Sequence, residues 1–290
     1  MLLSDKFIES SFLFLFRRSN VVPLKTLFGI IGHNISYTLS PAIYNYLFIY
    51  YSLPYNYNTF DIRREQFHNF FNNLNKYNLV GLNITNPYKS EIKRIFPDCQ
   101  LDSVNTIRIE NGNFVFYSTD GLGLIKAIRQ IDKKVLYNHP KVIILGAGGV
   151  VPSIIIALKT FAKSILILNR TFVKAKILAE KYNVNSLQLV KRNMHLIKIH
   201  DIVINAISEK NFVVERNYFT HSQIVIDLKY YPQRTEFLKV AEQSGAKIQN
   251  GLPMLIHQAI EAFCFWLKIR VLDSDYQKLF DTVITMSLSS

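Results

Sequence analysis

Cysteine is scarce. The 290-residue chain has two, Cys99 and Cys264, which form no C-x-x-C pair and have no histidine pair nearby at metal spacing. A disulfide framework and a cysteine-based zinc site are therefore excluded, and a reducing cytoplasm with no bound metal is expected. Long apolar runs are also missing. None approaches the ~18–20 residues of a membrane span, so no membrane partner is expected. Acidic residues are few: 21 Asp and Glu stand against 34 Lys and Arg, giving a net charge of +13. A basic surplus can mark a nucleic-acid binder. Here the cations are scattered, with no like-charge run and no binding module, so nucleic acid is not expected. The abundance of Lys, Asn, Ile, Tyr and Phe matches A/T-rich coding, which accounts for the basicity by itself; attraction of anionic ligands is a second use for it.

What is present is a foldable composition, 49% hydrophobic and 19% charged, in a chain long enough for two cores. Residues 11–16 are apolar and precede Arg17 and Arg18. A secretory signal has the opposite order, so residues 1–24 read as a loose extension. Beyond them, strand-like and helix-like segments alternate. Strands are expected at 26–32, 55–62 and 79–85, and helices at 41–51 and 65–74. Two β-rich runs, 104–110 and 113–118, flank Asn111-Gly112, a strong hairpin signal. A helical pattern at 121–131 precedes a second βα alternation, with strands at 141–145, 164–168, 202–206 and 224–228. Helices near 254–266 and 275–286 close the chain. Alternation of this kind argues for parallel sheets covered by helices.

The strand at 141–145 runs into Gly146-Ala147-Gly148-Gly149-Val150, and an apolar helix follows. Glycines at such a turn let a backbone approach a pyrophosphate, and the helix N-terminus favours its charge. The third glycine of G-x-G-x-x-G would fall at position 151, which is Val. The next strand ends at Asn169-Arg170-Thr171, with Lys174 one turn on. An NAD site usually has a carboxylate here to hold the ribose 2′-OH. None is present, and Arg170 is suited to clamp a 2′-phosphate instead. The reading is NADP.

Four polar clusters fall near strand ends in the first half: Thr38-Leu39-Ser40-Pro41, 83–89 with Lys89, Val104-Asn105-Thr106, and 118–123 with Asp120. Each has a plainer explanation. Ser40 is a natural N-cap with Pro41 at the first helical position. Asp120 suits a cap for a helix starting at Gly121, Asn105 suits a turn, and Lys89 suits solvent. Together they supply a carboxylate site, amide and hydroxyl donors, and a Lys/Asp pair.

In this order the motifs resemble the shikimate dehydrogenase family, from about Leu27 to Phe280. Its Ser-x-Ser-Pro reads Thr38 to Pro41; its Gly-x-Asn-x-Thr-x-Pro-x-Lys is complete from Gly81 to Lys89. Val104 to Thr106, Thr119 to Gly121, Gly146 to Gly149, Asn169 to Thr171, Asp227 to Tyr230, and Asn250 to Leu255 with Gln258 follow. The resemblance implies reversible NADPH-dependent reduction of 3-dehydroshikimate to shikimate, in aromatic amino acid (chorismate) biosynthesis. It implies an α/β fold of two domains with a cleft between them. Residues 25–120 plus 252–290 would bind substrate on a mostly parallel sheet, and 121–251 would form a Rossmann-type NADP-binding domain. Thr38 and Ser40 would hold the substrate carboxylate, and Lys89 and Asp120 would be the catalytic pair. Thr85, Asn105, Asp120, Tyr230 and Gln258 would surround the ring hydroxyls. Leu228, Gly251 and Met254 would lie near the nicotinamide, with residues 146–150, Asn169, Arg170, Thr171 and Lys174 holding the rest of the cofactor. Departures are Thr38 and Ser118, where the family usually has Ser and Asn, and a short stretch between Lys89 and Asn105. A quinate/shikimate dehydrogenase and a non-catalytic sensor on the same scaffold are the alternatives. A homodimer is left open.

Overall fold

The computed structural model describes residues 27–209, 212 and 214–289; the extension at 1–24 lies outside them. Two sheets organise the chain. The first is built from β1 (Leu27–Gly32), α1 (Ser40–Tyr50), β2 (Asn56–Asp61), α2 (Arg64–Asn72), β3 (Leu79–Ile84), the short α3 (Ile92–Ile95), β4 (Thr106–Glu110) and β5 (Asn113–Tyr117). Its strand order is β2-β1-β3-β4-β5. β1 pairs in parallel with β2 and β3, while β4 is antiparallel to both β3 and β5, so four of the five strands share one direction. The Asn-Gly signal is realised: Asn111 and Gly112 both have positive φ, at 51° and 79°, as a two-residue type I′ turn requires.

The second sheet follows α4 (Asp120–Ile131). Its elements are β6 (Lys141–Leu145), α5 (Val151–Leu158), β7 (Ser164–Asn169), α6 (Phe172–Tyr182), β8 (Asn185–Gln188), β9 (Ile202–Asn205), β10 (Ile224–Asp227), α7 (Glu236–Gln243) and β11 (Lys247–Gln249). All pairings are parallel, in the order β11-β10-β9-β6-β7-β8. The chain therefore starts in the middle and winds outward both ways, leaving a crevice at the C-terminal ends of β6 and β9. After the exposed Lys141, strand β6 is wholly apolar because helices cover both its faces: Val142 and Ile144 enter one core cluster, and Leu145 with Ile143 the opposite one. The edge strands β8 and β11 had no expectation from the sequence. Asn185–Gln188 is polar and mostly exposed, and its pairing comes from its neighbours rather than from its own pattern.

Helices α8 (Leu252–Leu267) and α9 (Asp273–Ser289) return to the first sheet. Ile256, Ile260 and Phe263 pack with Phe28, Tyr44 and Phe48, and the Trp266 indole donates to Ile107 O of β4 at 2.9 Å. Met254, at the start of α8, packs instead with the second-sheet core beside Leu124 and Ile128 of α4. Helices α4 and α8 thus lie between the two sheets and tie them together.

Candidate active site

The polar clusters of the first half meet at the C-terminal ends of β1 and β3. Beyond Ile84 the chain turns, and the Tyr88 N–H donates to Thr85 O at 2.8 Å. Tyr88 is fully buried, stacks on Phe67 at 4.1 Å, and donates its hydroxyl to Ile62 O at 2.6 Å. That anchor fixes the direction of the next residue, Lys89. Its Nζ donates to Asp120 Oδ2 at 2.6 Å, and the two side chains are only 12% and 6% exposed. Asp120 is the first residue of α4, where a carboxylate also complements the helix dipole. It makes no capping bond, so the plain capping explanation for Asp120 fails. The solvated-lysine explanation for Lys89 fails with it.

Asn105 organises what surrounds this pair. It precedes β4 and is 3% exposed. Its Nδ2 lies 3.1 Å from Asp120 Oδ1, 2.8 Å from Thr119 Oγ1 and 3.1 Å from Gln258 Oε1. Its Oδ1 accepts from the Thr119 N–H at 2.8 Å and from Thr106 Oγ1 at 3.0 Å. Behind it, Asn83 Nδ2 donates to Asn105 O, and Tyr57 donates to Asn83 Oδ1 at 2.6 Å. Lys89, Asp120, Asn105 and Gln258 are therefore one connected network drawn from four separate elements. Asn83 and Thr119 lay inside motifs visible in the sequence, whereas Tyr57 carried no signal beyond strand alternation.

Thr38 and Ser40 are adjacent, with Thr38 Oγ1 donating to Ser40 Oγ at 3.2 Å. Ser40 is not an N-cap: α1 begins at Ser40 itself, after Leu39, and no side chain caps it. Capping needs an extended residue whose hydroxyl folds back onto the helix, and Leu39 is already helical. The Ser40 hydroxyl, 3% exposed, instead lies beside Tyr57. Tyr230 reaches Thr38 from the loop after β10; burial pushes its phenol up to about 12. The base of that loop is Asp227, which accepts from Thr235 Oγ1 at 2.7 Å and the Lys229 N–H at 3.1 Å. Burial raises its carboxyl above the ordinary range, and those hydrogen bonds act against the rise.

The glycine turn lies at the crevice of the second sheet. Gly146 has φ +111°, and a Cβ there would stand 3.0 Å from the backbone of Ala206. Gly148 faces open space, and Gly149 is so placed that a Cβ would lie 3.3 Å from Lys89 Cβ. The turn after β6 therefore meets the lysine from β3, joining the two halves of the site. Leu228 and Gly251 are in close backbone contact. Met254 is 7% exposed and belongs to the core. Past the turn, a cavity of about 480 Å³ opens at the ends of β7 and β8, lined by Asn169 and Arg170 with Met194, Ile207 and Tyr218. Thr171 and Lys174 are exposed and do not line it. Among the described residues no group of His, Cys, Asp or Glu could hold a metal ion, and no helix is long and apolar enough to cross a membrane.

A doubly wound parallel sheet with a glycine turn, closing on a buried Lys–Asp pair from a second sheet, defines a nucleotide-dependent dehydrogenase of two-part design. The comparisons narrow it. A family profile described as shikimate dehydrogenase substrate binding domain matches residues 30–107, and one described as shikimate / quinate 5-dehydrogenase matches residues 129–230. Shikimate dehydrogenase (NADP+) of Clostridium botulinum is 34% identical over 82% of this chain and 95% of its own. A crystal structure of shikimate dehydrogenase in complex with NADP+ is 31% identical and superposes with a TM-score of 0.78 over 90% of this chain and 96% of that one. The Aquifex aeolicus enzyme gives a TM-score of 0.79 at 29% identity, over 90% and 97%. The chain belongs to the shikimate dehydrogenase family.

Proposed function

We propose that this chain catalyses the reversible NADPH-dependent reduction of 3-dehydroshikimate to shikimate, with Lys89 and Asp120 as its catalytic pair. It is an NADP-dependent oxidoreductase acting on a CH–OH group. The observation that carries the reading is the 2.6 Å Lys89–Asp120 contact, buried and set against the Gly149 turn. The residues fit the cofactor: the positive φ of Gly146 lets the chain turn tightly beside Ala206, Gly148 faces open space where phosphates can approach the backbone, and the cavity beside Arg170 offers apolar walls and a cation.

NADPH, when bound, supplies the hydride. As a carbonyl carbon is reduced, negative charge grows on its oxygen and a proton must reach it. Lys89 Nζ carries that proton, and Asp120 Oδ2 orients the ammonium toward the substrate. Asn105 Nδ2 holds the other Asp120 oxygen, so the carboxylate cannot rotate away. Thr38 and Ser40 bind the substrate carboxylate, while Thr85, Asn105, Tyr230 and Gln258 address the ring hydroxyls. Residues 146–150 and Asn169, Arg170, Thr171 and Lys174 hold the nucleotide, with Leu228, Gly251 and Met254 beside the nicotinamide. Residues 25–120 plus 252–290 serve substrate, and 121–251 serve cofactor. The cytoplasm is the proposed compartment, supported by the free Cys99 and Cys264. A homodimer is the assembly to test by sedimentation.

The deciding experiment is NADP+ reduction followed by absorbance, with shikimate beside quinate and NADP+ beside NAD+. The wild type is expected to turn over shikimate with NADP+, and Lys89→Ala to lose about 10²–10⁴-fold in kcat. A folded wild type that binds both compounds and turns over neither would leave the sensor reading standing.

A further inference from the structure

The cavity next to Arg170 holds more charge than the family motif accounts for. Strand β8 pairs with β7 so that Gln188 stands opposite Asn169, and the Leu189 N–H donates to Asn169 O at 3.0 Å. Arg170 follows Asn169 directly, and Lys191 follows Gln188 by three residues. Parallel pairing thus delivers both cations to the same rim, and both line the cavity. Each is held by a carboxylate that lines it too: Arg170 Nη1 to Glu209 Oε2 at 3.2 Å, and Lys191 Nζ to Glu215 Oε1 at 3.4 Å. All four side chains are more than half exposed.

We infer that Lys191 is a second reader of the cofactor's 2′-phosphate, and that Glu209 and Glu215 occupy the two cations until that phosphate displaces them. This rests on the NADP reading of Arg170. The physical argument is exchange of partners. An exposed Lys or Arg pair with a carboxylate contributes little, because solvent screens it and both side chains must be ordered. A phosphate carries more charge and more acceptor oxygens, and Arg can engage it with two parallel bonds. Exchange of carboxylate for phosphate is therefore downhill at both cations. NADH lacks the phosphate, so it gains nothing at this rim and leaves both ion pairs in place. The two glutamates then act as a filter: they neutralise the cations toward the wrong cofactor and yield to the right one. Tyr218 and Met194, on the same cavity wall, present flat and soft apolar surface of the kind an adenine ring stacks on.

The test is equilibrium binding of NADPH, NADH and 2′,5′-ADP to the full chain at low salt, followed by fluorescence or calorimetry. Lys191→Gln is expected to weaken NADPH and 2′,5′-ADP about 5-fold while NADH changes less than about 2-fold. Lys191→Arg is expected to restore NADPH. Glu209→Gln and Glu215→Gln are each expected to tighten NADPH about 2- to 3-fold. Loss of NADPH and NADH binding in equal measure with Lys191→Gln, or no change in either, overturns the inference. Arg170→Gln separates the two levels. If it shifts NADPH but Lys191→Gln does not, only the second reader falls. If wild type and Arg170→Gln both bind NADPH and NADH alike, the NADP reading of this rim falls.

Discussion

The two halves of the site use charge in opposite ways. On the first sheet the functional charges are buried and paired: Lys89 and Asp120 meet at 2.6 Å with side chains 12% and 6% exposed, and the neutral Asn105 ties Asp120 into one hydrogen-bond network. On the second sheet they are in water, with Arg170 80% exposed beside Glu209. The cores differ in the same direction. Around β1 and α8, rings interlock, with Phe28 5.0 Å from Trp266 and Tyr44 stacked 4.4 Å from Tyr57. Around β6 the core is mostly Ile, Leu and Val, with Phe219 and Phe237 as buried rings on one face. A reaction that moves a proton to one oxygen needs donors at fixed positions, and burial supplies that by removing alternative partners. A phosphate accepts from many directions, so exposed cations on flexible stems suffice. On the proposed assignment, chemistry is held by the buried polar half, whereas cofactor choice sits on a surface that can change without touching the fold.

The strongest way to break this comparison is Asn105→Ala. The substitution strips partners from the Thr119 N–H, the Thr106 hydroxyl and Asp120 Oδ1 at once. Each buried orphan costs about 1–3 kcal/mol, so a loss of roughly 3–5 kcal/mol in urea unfolding is expected, together with a kcat drop of about 100-fold or more. Arg170→Gln should leave stability within about 0.5 kcal/mol. Equal destabilisation by the two would erase the contrast.

Gly146→Ala tests the glycine turn of the cofactor half. At φ +111° a side chain is strained, and the new methyl would press on the Ala206 backbone. About 2–3 kcal/mol of destabilisation is expected, with NADPH affinity falling and the Lys89–Asp120 network unchanged. A variant with wild-type stability and NADPH binding would show that the turn tolerates a side chain.

How much of this was legible beforehand follows the same division. Strand β6 and its glycine turn stood out because a run buried on both faces followed by Gly-Ala-Gly-Gly has few other uses. The hairpin at Asn111-Gly112 was equally plain, since both residues tolerate positive φ. Lys89, Asp120 and Asn105 were visible only as motif members. Nothing in their spacing says that three loops converge, because convergence depends on sheet order. Ser40 misled for a local reason: Ser-Pro before an apolar stretch is a capping signal, and only the helical Leu39 cancels it. The Tyr57 contact to Asn83 was illegible, since a buried Tyr on a strand looks like an ordinary strand residue. Lys191 was hidden because its neighbour β8 is polar and short, and carries no strand pattern.

The smallest expected effect asks whether burial of ionisable groups in the first half extends beyond the site. His257 neighbours Gln258 on α8 and is 4% exposed. Its Nδ1 lies 2.9 Å from the Tyr276 hydroxyl, and its ring stacks on Phe280 at 4.6 Å. Burial lowers its pKa, the Lys126 charge adds to that, and the value falls to about 3. Lys126 is paired with Glu261 and sits over the Tyr276 ring, so the Glu261 carboxylate is already engaged by another cation. An unfolded histidine titrates near 6.5, so the unfolded chain takes up the proton first as pH falls. The contribution of neutral His257 is complete above about pH 6.5 and erodes from there toward about pH 3. One unit below the unfolded value the loss is about 1.4 kcal/mol. Urea unfolding at pH 7.5 and pH 5.5 should therefore show wild type losing about that much more than His257→Phe. His200 on the second-sheet side is also lowered by burial and leaves a residual slope in both proteins. If His257→Phe keeps the full wild-type slope, His257 is not the group that titrates.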